Sequence, residues 1–311
     1  MLSSVILLGP QRHVQLVHGA LSGLGIGPRS LIAVVSAGWE EREAEDQELR
    51  DHVARPVANL GIWARVERIF ERDPELLLAM RERQDTLRRV QELYRLRLGG
   101  VMDAARELLR RPGDDAFLVA EREDAVQMVR ELDRQHARRV DDVHSEFEAR
   151  WRPDERAAVL AEKRDLARLL EDCECLCVAG GHIAMLLHRL RLFDLFTLYG
   201  DRPLVAWSAG AMALCERIVL FHDLPPQGGS FVEVMERGFG LIPDLVVLPH
   251  ANKRIVLGDE DRLRLFARRF APAMCVLLDP GSRLDWNGSR WTAVPGTRRL
   301  DGDGKVAEVS A

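Results

Sequence analysis

A serine lies between a short apolar run and a second run that favours a helix. Residues 203–206 lead into Trp207-Ser208-Ala209-Gly210-Ala211, and helix-compatible residues follow. A serine on a tight strand-to-helix turn is typical of a nucleophile elbow, which requires small residues two positions before and after it. Ala206 and Gly210 meet that requirement. The same pattern suits a serine that caps an ordinary helix, so these residues alone predict either a nucleophile or a cap.

A serine nucleophile requires a general base, and several histidines could provide one. His250 follows the apolar run 245–249, and catalytic groups of open α/β sheets gather where strands end. His182 and His222 are alternatives among the nine histidines of the chain. The pair Gly180-Gly181, just before His182, would let a backbone N–H approach a substrate carbonyl; a plain turn is the other interpretation.

Short apolar runs alternate with helix-like segments, and this alternation predicts an α/β fold with a mostly parallel sheet flanked by helices. A third strand is expected within 62–69, and Asn287-Gly288 predicts the turn of a small β-hairpin. The remaining strands are expected at 5–8, 31–35, 175–179, 203–207, 245–248 and 275–279.

A charged helical segment interrupts this pattern. Residues 73–172 are rich in Arg, Glu, Asp, Leu and Ala, and apolar residues recur there at helical spacing. The sequence therefore predicts an N-terminal part of the α/β core (1–72), an all-α insertion that forms an arm or lid (73–172), and a C-terminal part that carries the catalytic residues (173–311). The apolar stripe of the insertion must be buried, either by self-association or by packing over the active site.

Composition limits the kinds of function. The net charge of −5 and the interleaving of basic with acidic residues argue against nucleic acid as the main partner. No apolar run approaches the ~20 residues of a membrane span, and no signal peptide is evident, so a cytoplasmic protein is expected. Cys173, Cys175 and Cys177 alternate within an apolar run. They are expected on one face of a core strand rather than in a metal site.

Several of these motifs together resemble the aspartyl dipeptidase (dipeptidase E) and cyanophycinase family of serine peptidases. That family is similar in fold to class I glutamine amidotransferases. The resemblance covers most of 173–295 and does not extend to the helical insertion. The motifs that carry it are Ala179-Gly180-Gly181-His182, Trp207-Ser208-Ala209-Gly210-Ala211, His222-Asp223-Leu224-Pro225, Gly238-Phe239-Gly240-Leu241-Ile242-Pro243, Leu248-Pro249-His250 and Asp279-Pro280-Gly281-Ser282.

The resemblance implies a catalytic triad. Ser208 would be the nucleophile, His250 the general base and Asp223 the carboxylate that orients the imidazole, with Glu216 and Glu233 as alternatives for that carboxylate. The oxyanion hole would be formed by the N–H groups of Gly181 and Ala209.

The resemblance also implies a substrate class. Members of this family favour acidic side chains next to the scissile bond. His182 and Arg254 are the expected substrate-binding residues, with Lys253 beside Arg254. We therefore expect a serine hydrolase that cleaves a peptide or amide bond of a small acidic peptide or isopeptide, without cofactor or metal. The alternatives are a hydrolase of other esters or amides, or a non-catalytic scaffold whose arm binds a partner or a second copy.

Overall fold

The structure is a computed structural model, and it describes residues 4–223 and 231–309. Elements are numbered in chain order. The strands of these two ranges are β1 (Val5–Leu8), β2 (Leu31–Val35), β3 (Val57–Asn59), β4 (Cys173–Val178), β5 (Leu204–Trp207), β6 (Arg217–His222), β7 (Phe231–Arg237), β8 (Leu245–Pro249), β9 (Met274–Leu278), β10 (Arg283–Trp286), β11 (Trp291–Ala293), β12 (Arg298–Leu300) and β13 (Val306–Glu308). The helices are α1 (Val17–Gly23), α2 (Gln47–Val53), α3 (Ile62–Arg72), α4 (Pro74–Arg110), α5 (Ala116–Trp151), α6 (Ala157–Glu171), α7 (Ile183–Phe193), α8 (Leu195–Tyr199), α9 (Ala209–Leu214), α10 (Ala251–Arg254) and α11 (Glu260–Phe270).

A seven-stranded, mostly parallel sheet forms the centre of the fold. Its strand order is β11-β10-β1-β5-β4-β2-β3, and β1, β5, β4, β2 and β3 run parallel. Strands β10 and β11 are antiparallel, and they form the hairpin predicted at Asn287-Gly288. One face of the sheet packs on α1 and α2, and the other packs on α3, α7 and α9. The sheet confirms the predicted α/β class.

Two smaller sheets adjoin the central one. Parallel strands β8 and β9 are extended by β12 and β13, and β6 and β7 form a separate antiparallel hairpin. A second apolar cluster joins this hairpin to β8, β9 and α11.

The prediction of a strand within 62–69 is wrong, because this segment is helix α3. Ile62, Val66 and Ile69 are buried at positions i, i+4 and i+7, which is the spacing of one helix face. The third parallel strand is instead the three-residue β3, which pairs with β2.

Helices α4 and α5 form a long antiparallel hairpin, called the arm below. Asp73 caps α4 by accepting the N–H of Leu76, and Pro74 occupies the first helical position. The arm packs on β7 and α11 of its own chain. The apolar stripe of α4 is thereby buried, with Tyr94 1% and Leu98 5% exposed. Packing within the chain covers this stripe, and self-association through the arm stays a prediction.

The three cysteines of β4 do not share one face. Cys173 packs in the cluster with α7, whereas Cys175 and Cys177 pack in the cluster with α1 and α2. The register between β2 and β4 shifts after Leu31 and Cys173, so Glu174 is an extra residue. This irregularity changes the alternation of side chains, as a β-bulge does.

Helices long and apolar enough to cross a membrane are absent from residues 4–223 and 231–309.

Candidate active site

Ser208 occupies the sharp turn between β5 and α9. Its backbone has φ 51° and ψ −122°, a conformation that L-residues rarely adopt and that costs on the order of 1–3 kcal/mol. Strained residues of this kind concentrate at functional sites. Gly210 makes the turn possible, because a Cβ there would lie 2.3 Å from the Val178 carbonyl oxygen. The predicted need for a small residue two positions after the serine is confirmed.

The turn after β4 lies directly against Ser208. A Cβ at Gly180 would lie 2.8 Å from Ser208 Cβ and 3.5 Å from its Oγ. Gly181 has φ 125° and approaches the Gly38 carbonyl too closely for any side chain. Within residues 4–223 and 231–309, the N–H groups of Gly181 and Ala209 donate no hydrogen bond. Both groups are therefore available as donors to a substrate.

His250 follows β8 in a left-handed conformation, with φ 56°. Its backbone N–H donates to the Leu278 carbonyl of the neighbouring strand at 3.2 Å. Burial lowers the pKa of the imidazole, the positive charges of Arg254 and Lys253 lower it further, and Asp279 raises it. A histidine in this environment is neutral at neutral pH and can accept a proton.

A cavity of about 800 Å³ lies at the carboxyl ends of the strands. Its lining includes five of the residues predicted from the sequence: Ser208, His250, Gly181, Ala209 and Arg254. His222, an alternative base, also lines it. In the described part of the chain, the residues that line this cavity include none from the arm, and a lid role of the arm stays a prediction.

Asp223 is buried, but its carboxylate is engaged elsewhere. It forms an ion pair with Arg262 and accepts the backbone N–H of Val256 at 2.8 Å. The described residues include no hydrogen bond or ion pair between Asp223 and His250. The role of Asp223 as the orienting carboxylate stays a prediction.

The other predicted residues lie outside the cavity lining. His182 is exposed, and its Nδ1 accepts the Met185 N–H at 3.3 Å as the cap of α7. Glu233 is fully buried and pairs with Arg95 of the arm at 2.6 Å. Glu216 lines a different cavity, between the arm and the β6–β7 hairpin. The structure does not bring these three side chains to Ser208.

Asp279 does not line the cavity, but it lies next to the segment that follows His250, and the sequence patterns assign it no role. It follows β9 directly, just as His250 follows β8, and the two strands are parallel neighbours. Its carboxylate accepts the Asn252 N–H at 2.9 Å and pairs with Arg298 at 3.1 Å. It is also the acidic group that raises the pKa of His250. The position of Asp279 after a strand was the signal that could have identified it.

The first two strand-helix units also line the cavity. The residues that contribute side chains there are Gln11, Arg12, Trp39, Arg42, Glu48 and His52. The sequence patterns did not single out these residues, because they occupy irregular segments and short helices.

No family model and no curated protein matches this sequence. Among solved structures, the chain is similar to a peptidase from an acI-B1 Actinobacterium, with 14% identity, a TM-score of 0.48, and coverage of 100% of this chain and 96% of that chain. It is also similar to a candidate Peptidase E protein from Listeria monocytogenes EGD-e, with 10% identity, a TM-score of 0.46, and coverage of 97% of this chain and 100% of that chain.

Proposed function

We propose that this protein is a serine hydrolase that cleaves a peptide or amide bond of a small acidic peptide or isopeptide. The observation that carries the proposal is the strained turn at Ser208. It presents a serine to a cavity that also holds His250 and the Gly180-Gly181 turn. A serine that only capped a helix would not need this backbone conformation, and Ser208 makes no side-chain capping bond to α9.

The proposed reaction has two steps. Ser208 Oγ attacks the substrate carbonyl carbon while neutral His250 takes the hydroxyl proton, and the N–H groups of Gly181 and Ala209 stabilise the oxyanion. The C–N bond then breaks as protonated His250 gives its proton to the leaving amine. Water, activated by His250, hydrolyses the resulting ester of Ser208 and restores the enzyme.

Two carboxylates are candidates for orienting His250. Asp223 is implied by the family resemblance, and its ion pair with Arg262 would have to loosen for it to serve. The electrostatics favour Asp279, because its negative charge raises the pKa of the imidazole; its carboxylate, like that of Asp223, is otherwise held by an arginine and a backbone N–H.

An acidic substrate is favoured by Arg254. Arg254 lines the cavity, and the Cζ atom of its guanidinium lies 5.8 Å from the centre of the Phe221 ring. Burial lowers the pKa of Arg254, but an arginine stays charged at neutral pH. A carboxylate of the substrate would compensate this charge by a two-pronged hydrogen bond.

Labelling with a fluorophosphonate probe tests the nucleophile. We expect one label per chain on Ser208, found by peptide mass spectrometry, and none on Ser208→Ala. Ser22→Ala, at an exposed serine of α1, is the matched control and should label normally. A folded chain that takes no label would leave the non-catalytic scaffold as the better interpretation.

A substrate panel tests the proposed class. Peptides and isopeptides with Asp or Glu at the scissile bond should be hydrolysed faster than the same compounds with Asn or Gln at that position. Arg254→Gln should remove that preference, whereas Lys253→Gln, at the exposed neighbour, should retain it. Faster hydrolysis of simple esters or neutral amides in the unaltered protein would favour a non-peptide substrate.

A further inference from the structure

Two histidines and a glutamate meet where the arm joins the α/β core. His144 lies on α5, His188 on α7 and Glu236 on β7, and each is 9% exposed or less. His188 Nε2 lies 2.7 Å from one Glu236 carboxylate oxygen, and His144 Nε2 lies 2.9 Å from the other. The sequence does not reveal this cluster, because its members are distant along the chain.

We propose that His144, His188 and Glu236 bind one zinc-like divalent transition-metal ion, which fastens the arm to the core. Two imidazoles and one carboxylate are a recurring ligand set for zinc, whereas calcium and magnesium prefer sites made of oxygen atoms. One ligand atom from each residue lies within 4.8 Å of the others. This site is separate from the Ser208 cavity, so the proposal does not depend on the proposed hydrolase activity.

Side-chain adjustments would admit the ion. A tetrahedral ion with bonds of ~2 Å needs ligand atoms roughly 3.3 Å apart, so the two hydrogen-bonded contacts must open by a few tenths of an ångström, and ligand atoms that lie as far as 4.8 Å apart must approach. Each imidazole must also be neutral and carry its remaining proton on Nδ1, because Nε2 binds the ion.

Arg191 would act as an outer partner of the ligating carboxylate. It lies on α7, one turn after His188, and donates to a Glu236 oxygen at 3.0 Å. Metal-ligating carboxylates are commonly held by such a second hydrogen bond. The contact would keep Glu236 oriented whether or not the ion is bound.

The positive charges nearby determine what completes the coordination. Arg83 of α4 is close enough to interact with both Glu236 and Arg191, and burial lowers its pKa to about 10. Together with Arg191, it adds positive charge beside the ion, so the site requires an anionic fourth ligand to offset that charge.

A cavity of about 460 Å³ has Glu236 in its lining, and we expect the ion and that fourth ligand to enter from it. The arginines on its walls include Arg130, Arg138 and Arg217. Hydroxide or a small inorganic anion such as chloride is therefore the expected fourth ligand.

The test uses the full chain, stripped with a chelator and then titrated with Zn²⁺ or Co²⁺. We expect about one ion per chain by elemental analysis, a visible Co²⁺ spectrum typical of tetrahedral coordination, and a rise in the thermal midpoint. His144→Gln and His188→Gln should each abolish stoichiometric uptake. His136→Gln is the matched control, because His136 is a buried histidine of the same helix that contacts the Met235 carbonyl instead.

Nitrogen NMR of the unaltered chain provides a second measurement that does not depend on how well the variants fold. Zn²⁺ should shift the ring nitrogens of His144 and His188 and leave those of His136 unchanged. Uptake well below one ion per chain, or binding that survives both substitutions, would overturn the proposal. So would equal shifts at His136.

Discussion

Neither Gly210 nor Gly180, the two glycines next to Ser208, can carry a side chain without a clash, and the reasons differ. Gly210 approaches the Val178 carbonyl, so bulk there would disturb the backbone of the turn. Gly180 instead faces the Ser208 side chain itself. A substitution at Gly180 therefore probes the position of the nucleophile more directly than the stability of the fold.

Gly180→Ala is expected to impair catalysis more than folding. The added Cβ would lie 2.8 Å from Ser208 Cβ, so the serine must move. A displacement of about 1 Å can cost on the order of 100-fold in rate. We expect a loss of roughly that size in the rate of fluorophosphonate labelling, with a smaller change in the thermal midpoint. Gly19→Ala, in open space on α1, should change neither; normal labelling of Gly180→Ala would contradict the geometry.

The rise of kcat/KM with pH on the acid side should reflect the loss of a proton from His250. Only the neutral imidazole accepts the serine proton, so kcat/KM should rise with pH and then level off. Because burial and the charges of Arg254 and Lys253 lower the pKa of His250, the midpoint should lie below the ordinary value of 6.5. The measurement is kcat/KM, or the labelling rate, between about pH 4 and 8. A midpoint above 6.5 would exclude His250 in this environment as the base.

Separate substitutions of Asp279 and Asp223 test which carboxylate acts on His250. Asp279→Asn removes the charge that raises the pKa of His250, so the rise of kcat/KM should move to lower pH while the maximum rate falls. Asp223→Asn should lower the thermal midpoint, since it breaks the pair with Arg262, and leave the rise of kcat/KM in place. The opposite pattern would restore Asp223 as the orienting carboxylate.

At the scale of elements, a buried ionic network joins the arm to α11. The Arg269 side chain is fully buried and forms two 2.7 Å hydrogen bonds with Asp133 of α5. Tyr94 of α4 donates to Asp133 at 2.6 Å and accepts from Arg269 at 2.8 Å. Arg269 also donates to the Val232 carbonyl of β7 at 2.8 Å, so one side chain connects three elements to its own helix.

Asp133→Ala is expected to destabilise the protein strongly. The substitution leaves Arg269 buried without its counter-charge, which costs about 3–5 kcal/mol. Denaturant unfolding at neutral pH would measure this loss of free energy. Asp85→Ala is the matched control on the arm, because its pair with Arg88 is exposed at the surface and contributes ~1 kcal/mol or less. Similar losses from both substitutions would show that burial does not set the strength of the Asp133 pair.

Periodicity predicted the elements that are regular and buried. The strands that deliver Ser208 and His250 are short apolar runs that end at turn residues, so both positions were predicted correctly as strand ends. The prediction failed at 62–69, where a run of apolar residues at helical spacing was assigned to a strand. It also failed at Cys173, because a register shift leaves no trace in the alternation of residue types.

Side-chain partners could not be predicted in the same way. Asp223 and Asp279 both lie near the ends of strands, and only the positions of Arg262 and His250 distinguish them. The pairing of Glu233 with Arg95 likewise joins residues 138 positions apart. Such contacts depend on tertiary packing rather than on local pattern, so the sequence left these carboxylates as alternatives.

At the scale of the whole molecule, the arm supports the β6–β7 hairpin that forms one wall of the Ser208 cavity. Val219, Leu220, Phe221 and His222 of this hairpin line the cavity. The hairpin has two strands and pairs with no other sheet among the described residues. Hairpins of this kind are marginally stable alone. β7 is held from outside by Arg95 on Glu233, and by His144 on Glu236.

Excision of the arm should therefore disable the site while the central sheet survives. Asp73 and Arg156 flank the segment and are hydrogen-bonded at 2.6 Å, so a short Gly/Ser linker can replace residues 74–151. We expect the strands of the central sheet to keep their protection from hydrogen exchange, while 217–222 and 231–237 lose theirs and labelling of Ser208 slows at least tenfold, which is ~1.4 kcal/mol. Replacing only the tip, 108–122, should have little effect, because the contacts with β7 remain. Unchanged protection of the hairpin after full excision would show that β8 and α11 hold it without the arm.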